Sequence, residues 1–199
     1  MKKLKTVLTL SLLGLSLTSC RSISNAPIDN SAEPEVSGES HFLVAYFSYS
    51  GNTQTVARTI SETLDSDIFR IVVSTPYTDS NLFDRAQQEV NSKSFPEISS
   101  HIEKDVFDTY DTIIIGFPIW WYDLPRPVAT FVNEYDFSGK TVIPFFTHNG
   151  SSTGASSLST LGSLIGTANY QRNKVLSIRG SSVSSSTQTI NDWALSLDL

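Results

Sequence analysis

Residues 48–53, Ser-Tyr-Ser-Gly-Asn-Thr, bring two serines, a threonine, an asparagine and a glycine together. Before them runs Phe42–Phe47, apolar throughout. After them Val56, Ala57, Ile60 and Leu64 share one face of a helix expected over Thr53–Leu64. A junction of this kind points unpaired backbone N–H groups and the positive end of the helix dipole at whatever binds. Ser48, Ser50 and Thr53 add hydroxyl donors, Asn52 adds an amide, and Gly51 lets the backbone approach closely. No lysine or arginine stands in the loop. That composition suits a phosphate monoester held by neutral donors. It does not suit a Walker-type nucleotide site, which needs its lysine, and G-x-G-x-x-G is absent as well. The same residues also make a capped turn, and the loop alone leaves both possibilities open.

Two further loops are unusual. Gly116–Pro125 carries Pro118, Ile119, Trp120, Trp121 and Tyr122 in close succession. Loops lie at the surface, so this aromatic run implies a flat aromatic ligand or a partner surface. The alternative is that the tryptophans pack on a neighbouring helix. Thr147, His148, Asn149 and Gly150 open a third loop that offers donors and flexibility. His148 reads as a loop donor rather than a catalytic acid, and no G-x-S-x-G elbow occurs. One cysteine and three scattered histidines argue against a metal cluster.

The elements that must position these loops alternate. Apolar runs at Phe42–Phe47, Ile68–Val73, Thr112–Ile115, Thr141–Phe146 and Val175–Ile178 read as strands. Helical spacing follows at Thr53–Leu64, at Val128–Tyr135 after Pro127, at Leu158–Ile165, and at Ile190–Leu197. Strands that are apolar throughout, separated by helices, predict a parallel sheet covered on both faces. Pro144 lies inside one such strand, where it removes a ladder donor, so a bulge or break is expected there. Residues 74–110 are irregular apart from a helix over Asn81–Val90, capped by Asp79 or Ser80. Ligands of such sheets sit beyond the carboxyl ends of the strands, where the three loops lie.

The amino-terminal residues read differently. Lys2, Lys3 and Lys5 precede a short apolar run, the pattern of an export signal over residues 1–19. Leu17-Thr18-Ser19-Cys20 resembles a bacterial lipobox, which implies lipidation of Cys20 and a membrane anchor. The alternative is an ordinary signal peptide with an incidental cysteine. Residues 20–40, rich in Ser, Asn, Pro and Glu, read as a disordered tether. The remaining span, 41–199, suffices for one domain. Without the three signal lysines the chain holds 11 basic against 20 acidic side chains, which disfavours nucleic acid as a partner.

Taken together, the three loops resemble the flavodoxin family, and among its members the flavodoxin-like bacterial lipoproteins. Ser48-x-Ser50-Gly51-Asn52-Thr53 is similar to the family's FMN phosphate loop. Pro118, Ile119, Trp120 and Trp121 resemble the loop lying against the flavin ring, and Thr147-His148-Asn149-Gly150 the second loop flanking it. Asp84–Glu89 also resembles a stretch of this branch, with no chemistry assigned. The resemblance implies a doubly wound α/β fold, five parallel strands in order 2-1-3-4-5 with helices on both faces. It implies FMN as cofactor, no metal, and no side chain acting as catalyst. It also implies electron transfer outside the cytoplasmic membrane to a redox partner protein or a small acceptor. The alternatives are an FMN-dependent NAD(P)H:quinone-type reductase and a ligand-binding lipoprotein that has lost the flavin. Tyr122 departs from the family, where glycine is frequent, and a side chain there is expected to disfavour left-handed backbone. Asn149 also replaces a common glycine.

Overall fold

The central apolar runs lie between two layers of helices in the computed structural model, which describes residues 36–38 and 40–199. The strands are β1 (Phe42–Tyr46), β2 (Asp67–Arg70), β3 (Thr112–Pro118), β4 (Thr141–His148), β5 (Asn169–Tyr170) and β6 (Leu176–Arg179). The helices are α1 (Asn52–Leu64), α2 (Leu82–Ser92), α3 (Lys104–Asp108), α4 (Arg126–Glu134), α5 (Ala155–Leu164) and α6 (Thr187–Leu195). The sheet runs β2-β1-β3-β4-β5, with β6 also paired to β4, and every pair is parallel. This is the expected order, its fifth position filled by two short strands in tandem.

Strand periodicity explains why the runs carry no polar alternation. Leu43, Ala45, Ile113, Ile115 and Val142 pack against Phe131 and Val132 of α4 and Leu158 and Leu161 of α5. The intervening Val44, Ile114, Ile143 and Phe145 meet Val56, Ala57 and Ile60 of α1 and Ile190 and Ala194 of α6. Both faces are core, so both parities must be apolar. Full burial of a side chain such as Ile60 contributes roughly 1.5–3 kcal/mol.

Pro144 does not break its own strand. β4 is continuous, and Pro144 stays in register with Ile115 of β3. The break falls in the neighbour. Val142 turns its carbonyl towards the fifth position, where it accepts from the Gln171 N–H at 2.9 Å. Pro144, two residues on, faces the same way with no N–H to give. The partner chain therefore leaves the ladder after Tyr170, makes a 3-10 turn over Arg172–Lys174, and rejoins as β6 opposite Phe145.

Residues 74–110 hold more structure than their composition predicts. The helix α3 forms there, with Phe107 fully buried and stacked on Tyr135 at 4.2 Å. Neither Asp79 nor Ser80 caps α2. Asn81 occupies the cap, and its Oδ1 accepts from the Thr78 N–H instead of from the helix. The Asp79 carboxylate is engaged elsewhere, by the Tyr49 hydroxyl. At its other end α2 is closed by Arg126 of α4, buried, which donates to the Lys93 and Ser94 carbonyls at 2.9 and 2.6 Å.

Ser37 and Gly38, which composition groups with the tether, are bound to the domain. Both backbone N–H groups and the Ser37 hydroxyl donate to the Asp67 carboxylate at 2.8–2.9 Å, and the Tyr110 hydroxyl adds a fourth bond at 2.6 Å. The expected signal, most of the tether and Cys20 lie outside the described residues. Among those residues no helix is long and apolar enough to cross a membrane.

Candidate functional site

The hydroxyl loop runs from the end of β1 into α1 and is not a side-chain cap. Gly51 takes the cap position with φ 89°, and no side chain caps the helix. The first helical bond is from the Thr55 N–H to the Gly51 carbonyl at 2.9 Å, so the first-turn N–H groups have no partner within the helix. The Ser48 hydroxyl is buried and, among the described residues, has no hydrogen-bond partner. A buried, unpaired hydroxyl is costly, roughly 1–3 kcal/mol, and needs a reason. Thr53 shares a hydrogen bond with Thr147 at 2.9 Å, tying α1 to the end of β4. Ser50 is exposed and Asn52 half-buried. A Cβ at Gly180 would stand 2.8 Å from the Asn52 amide nitrogen, so the turn after β6 closes in on this loop.

The aromatic loop after β3 is a tight hairpin. Trp120 and Asp123 exchange backbone hydrogen bonds of 3.2 and 2.8 Å, with Trp121 and Tyr122 at φ 48° and 63° between them. A primed two-residue turn of this kind normally takes Asn-Gly, and bulky side chains there are strained by about 1–2 kcal/mol each. The expectation that Tyr122 keeps this backbone out of left-handed space therefore fails. Tertiary contacts outweigh the penalty. Trp121 Nε1 donates to the Phe83 carbonyl at 3.2 Å and its ring meets the Phe83 ring edge-on at 5.2 Å. Asp123 Oδ1 accepts from the Leu124 N–H and the Thr160 hydroxyl, both at 2.7 Å. The two tryptophans diverge: Trp121 lies on the start of α2, while Trp120 is wedged edge-on against Phe47 and Tyr77 at 5.1 and 5.0 Å.

The third loop meets the second. The Ile119 N–H donates to the Thr147 carbonyl at 2.9 Å, drawing the residue after Pro118 to the end of β4. His148 Nδ1 accepts the Gly150 N–H at 2.9 Å, which leaves the ring proton on Nε2. Asn149 is exposed, and its carbonyl accepts from Arg179 at 3.3 Å.

Between these loops lies a cavity of about 360 Å³. Ile119, Trp120 and Trp121 line one side and Asn149 another, while Pro118, Thr147, His148 and Gly150 do not line it. Tyr122 extends the first side and Ser151 and Ser152 the second; the third wall, Leu82, Phe83 and Ala86 of α2, was not among the expected site residues, although Ala86 falls within Asp84–Glu89. The adjacent Leu82-Phe83 pair ahead of Asp84–Glu89 was the available signal. The hydroxyl loop lies outside the cavity's lining; the Thr53–Thr147 bond ties it to the end of β4, and the Thr147 carbonyl in turn accepts from Ile119 of that lining. Behind Trp120, burial pushes the Tyr77 hydroxyl far above its ordinary pKa, and its bond to Glu89 adds to this, so Tyr77 remains a donor. Among the described residues no cluster of three or more His, Cys, Asp or Glu could hold a metal.

An anion-ready helix end beside an aromatic cavity, at the carboxyl ends of β1, β3 and β4, is the geometry of a site for a flat ligand with an anionic tail. A family model described as flavodoxin matches residues 41–194. The chain belongs to the flavodoxin family. Among solved structures this flavodoxin-family chain is similar to a protein of Bacteroides uniformis described as a flavoprotein. The two share 35% identity and a TM-score of 0.67, over 76% of this chain and 96% of that one. A similar protein of Bacteroides eggerthii shares 32% identity and a TM-score of 0.61, over 75% and 96%. A flavoprotein of Lactobacillus acidophilus, solved in complex with FMN, shares 26% identity and a TM-score of 0.56, over 72% and 96%. No curated protein matches.

Proposed function

We propose that this protein binds FMN and works as an electron-transfer flavoprotein outside the cytoplasm, held to a membrane by a lipid anchor. The observation that carries the flavin assignment is the Ser48 hydroxyl, buried and unpaired where β1 gives way to the open amino end of α1. The residues fit the cofactor. Ser48, Ser50, Asn52, Thr53 and the first-turn N–H groups are donors for a phosphate, and Gly51 leaves room for it. Ile119, Trp120 and Trp121, with Phe83 across the cavity, supply apolar and aromatic walls for a ring. FMN supplies the redox chemistry when bound; the chain binds it, orients it and limits its contact with water. The relative solved with FMN and the family membership support the same reading. The anchor rests on the basic start, the apolar run and Cys20.

A second reading, an FMN-dependent reductase of quinone-type acceptors using a nicotinamide donor, draws on Phe83 and Tyr122. These are 72% and 61% exposed, and both line the cavity, where a flat acceptor would find aromatic surface. Steady-state turnover with such a donor separates the two.

Titration of flavin-free protein with FMN and with riboflavin tests the assignment. FMN should bind and colour the protein, and Ser48→Ala should weaken it by roughly 1–3 kcal/mol. Riboflavin, without a phosphate, should bind more weakly and be indifferent to the change. Equal binding of the two flavins would reduce the loop to a turn.

A further inference from the structure

We infer that Tyr77 and Glu89, a buried pair outside the three loops, are positioning residues that hold the Trp120 ring in the wall of the flavin site. The inference rests on the FMN reading for its ligand, though not for the arrangement itself. Among the described residues the Trp120 side chain makes no hydrogen bond, so its orientation depends on the rings around it. Tyr77 meets it edge-on at 5.0 Å and 84°, and Phe47 does so at 5.1 Å and 89°. Phe47 comes from the end of β1, a rigid element. Tyr77 comes from an irregular segment and would have no fixed place by itself.

Side chains of α2 supply that place. The Tyr77 hydroxyl donates to Glu89 Oε2 at 2.5 Å, and Arg85 Nε donates to Glu89 Oε1 at 2.7 Å. The Arg85 guanidinium also lies 4.1 Å above the Tyr77 ring and donates to the Thr75 carbonyl at 2.7 Å. The phenol is thus fixed at its oxygen and on one face. Tyr77 and Glu89 are 8% and 9% exposed. A carboxylate buried to this degree is a poor choice for stability alone, since apolar residues of similar volume often serve as well. A fully satisfied polar network does something packing does less well, which is to select one arrangement. The stretch Asp84–Glu89 supplies two of the three members.

The test uses full-length protein and five single variants, Tyr77→Phe, Glu89→Gln, Glu89→Ala, Trp120→Ala and Trp120→Phe, with Tyr77→Phe also made in the Trp120→Ala background. Unfolding midpoints establish that each variant is folded. Tyr77→Phe and Glu89→Ala should each weaken FMN binding roughly threefold to tenfold, the scale of one hydrogen bond. Glu89→Gln keeps an acceptor for the phenol but turns its amide NH2 towards Arg85, so its loss should fall between wild type and Glu89→Ala. With Trp120 already replaced, Tyr77→Phe should add less than about twofold, because coupled residues are not additive. Equal losses in the two backgrounds would overturn the proposal, since Tyr77 would then act on stability and not through Trp120. The near-ultraviolet circular dichroism of the flavin-free protein gives a second readout. The Trp120 contribution, defined by Trp120→Phe, should change in Tyr77→Phe. An unchanged spectrum with unchanged FMN affinity would also overturn it. Failure of the wild type to bind FMN would defeat the functional reading, and the flavin-free spectra would still decide this one.

Discussion

Thr160 donates its hydroxyl to Asp123 Oδ1 at 2.7 Å, so a residue in the middle of α5 holds the foot of the aromatic hairpin between β3 and α4. The bond joins the hairpin that lines the cavity to a helix outside that lining. Thr160→Val keeps the shape of the side chain and removes the donor. Asp123 is half-buried, so water replaces part of what is lost, and the expected destabilisation is roughly 0.5–1.5 kcal/mol. FMN affinity should fall with it, because the hairpin carries Trp121. Chemical denaturation and FMN titration check the two effects. No change in either would mean that the hairpin stands on its Phe83 contacts alone.

Tyr122 bears a backbone penalty without packing to offset it. Its φ is 63° and its side chain is largely exposed. Tyr122→Gly should therefore raise the unfolding free energy by up to about 1 kcal/mol, net of the extra chain entropy of glycine. Trp121→Gly relieves the same kind of strain at φ 48° but forfeits the Phe83 contacts, and should not stabilise. Urea unfolding of both variants gives the comparison.

Asp67 makes stability depend on acid. Burial pushes its carboxyl pKa up, but the bonds from Tyr110, Gly38 and Ser37 outweigh burial and hold it below the ordinary 3.8. A depressed folded-state pKa contributes stability that is fully present above the unfolded value. That stability is lost as pH falls through the folded one. Asp67→Asn should be less stable than wild type at pH 7 by roughly 1–3 kcal/mol, the scale of hydrogen bonds to a charged group. The gap should narrow as pH is taken below about 4. Unfolding at pH 7, 4 and 3 measures it; a gap that is independent of pH would assign the effect to shape and not to charge.

Cys20 decides the anchor. A diacylglycerol on the cysteine supplies two chains, enough for stable attachment, whereas a single chain binds only marginally. Cys20→Ala should move the protein from the membrane fraction to the soluble one. Unchanged fractionation would remove the lipid from the proposal and leave the flavin site untouched.

The order of elements was legible because it rests on patterns that local sequence must carry. Leu43–Phe47, Ile113–Ile115 and Val142–Ile143 are apolar at both parities because each strand is core on both faces. The hydroxyl loop was legible by its place, between an apolar run and the first helical pattern; composition did not single it out, since the junctions after β4 and β6 are as rich in Ser and Gly. Four matters were decided only by tertiary structure. Pro144 moved the break into its neighbour, because the side of the ladder that an N–H faces depends on which strand lies there. Trp121 and Tyr122 took left-handed backbone against their propensity, because Phe83 and Thr160 hold the hairpin from outside it. Ser48, and neither Ser50 nor Thr53, became the loop's buried hydroxyl without a partner among the described residues, and Tyr77 and Glu89 came to stand behind Trp120. Contacts across such separations have no period along the chain. They exist only once the sheet has brought its carboxyl ends and α2 together.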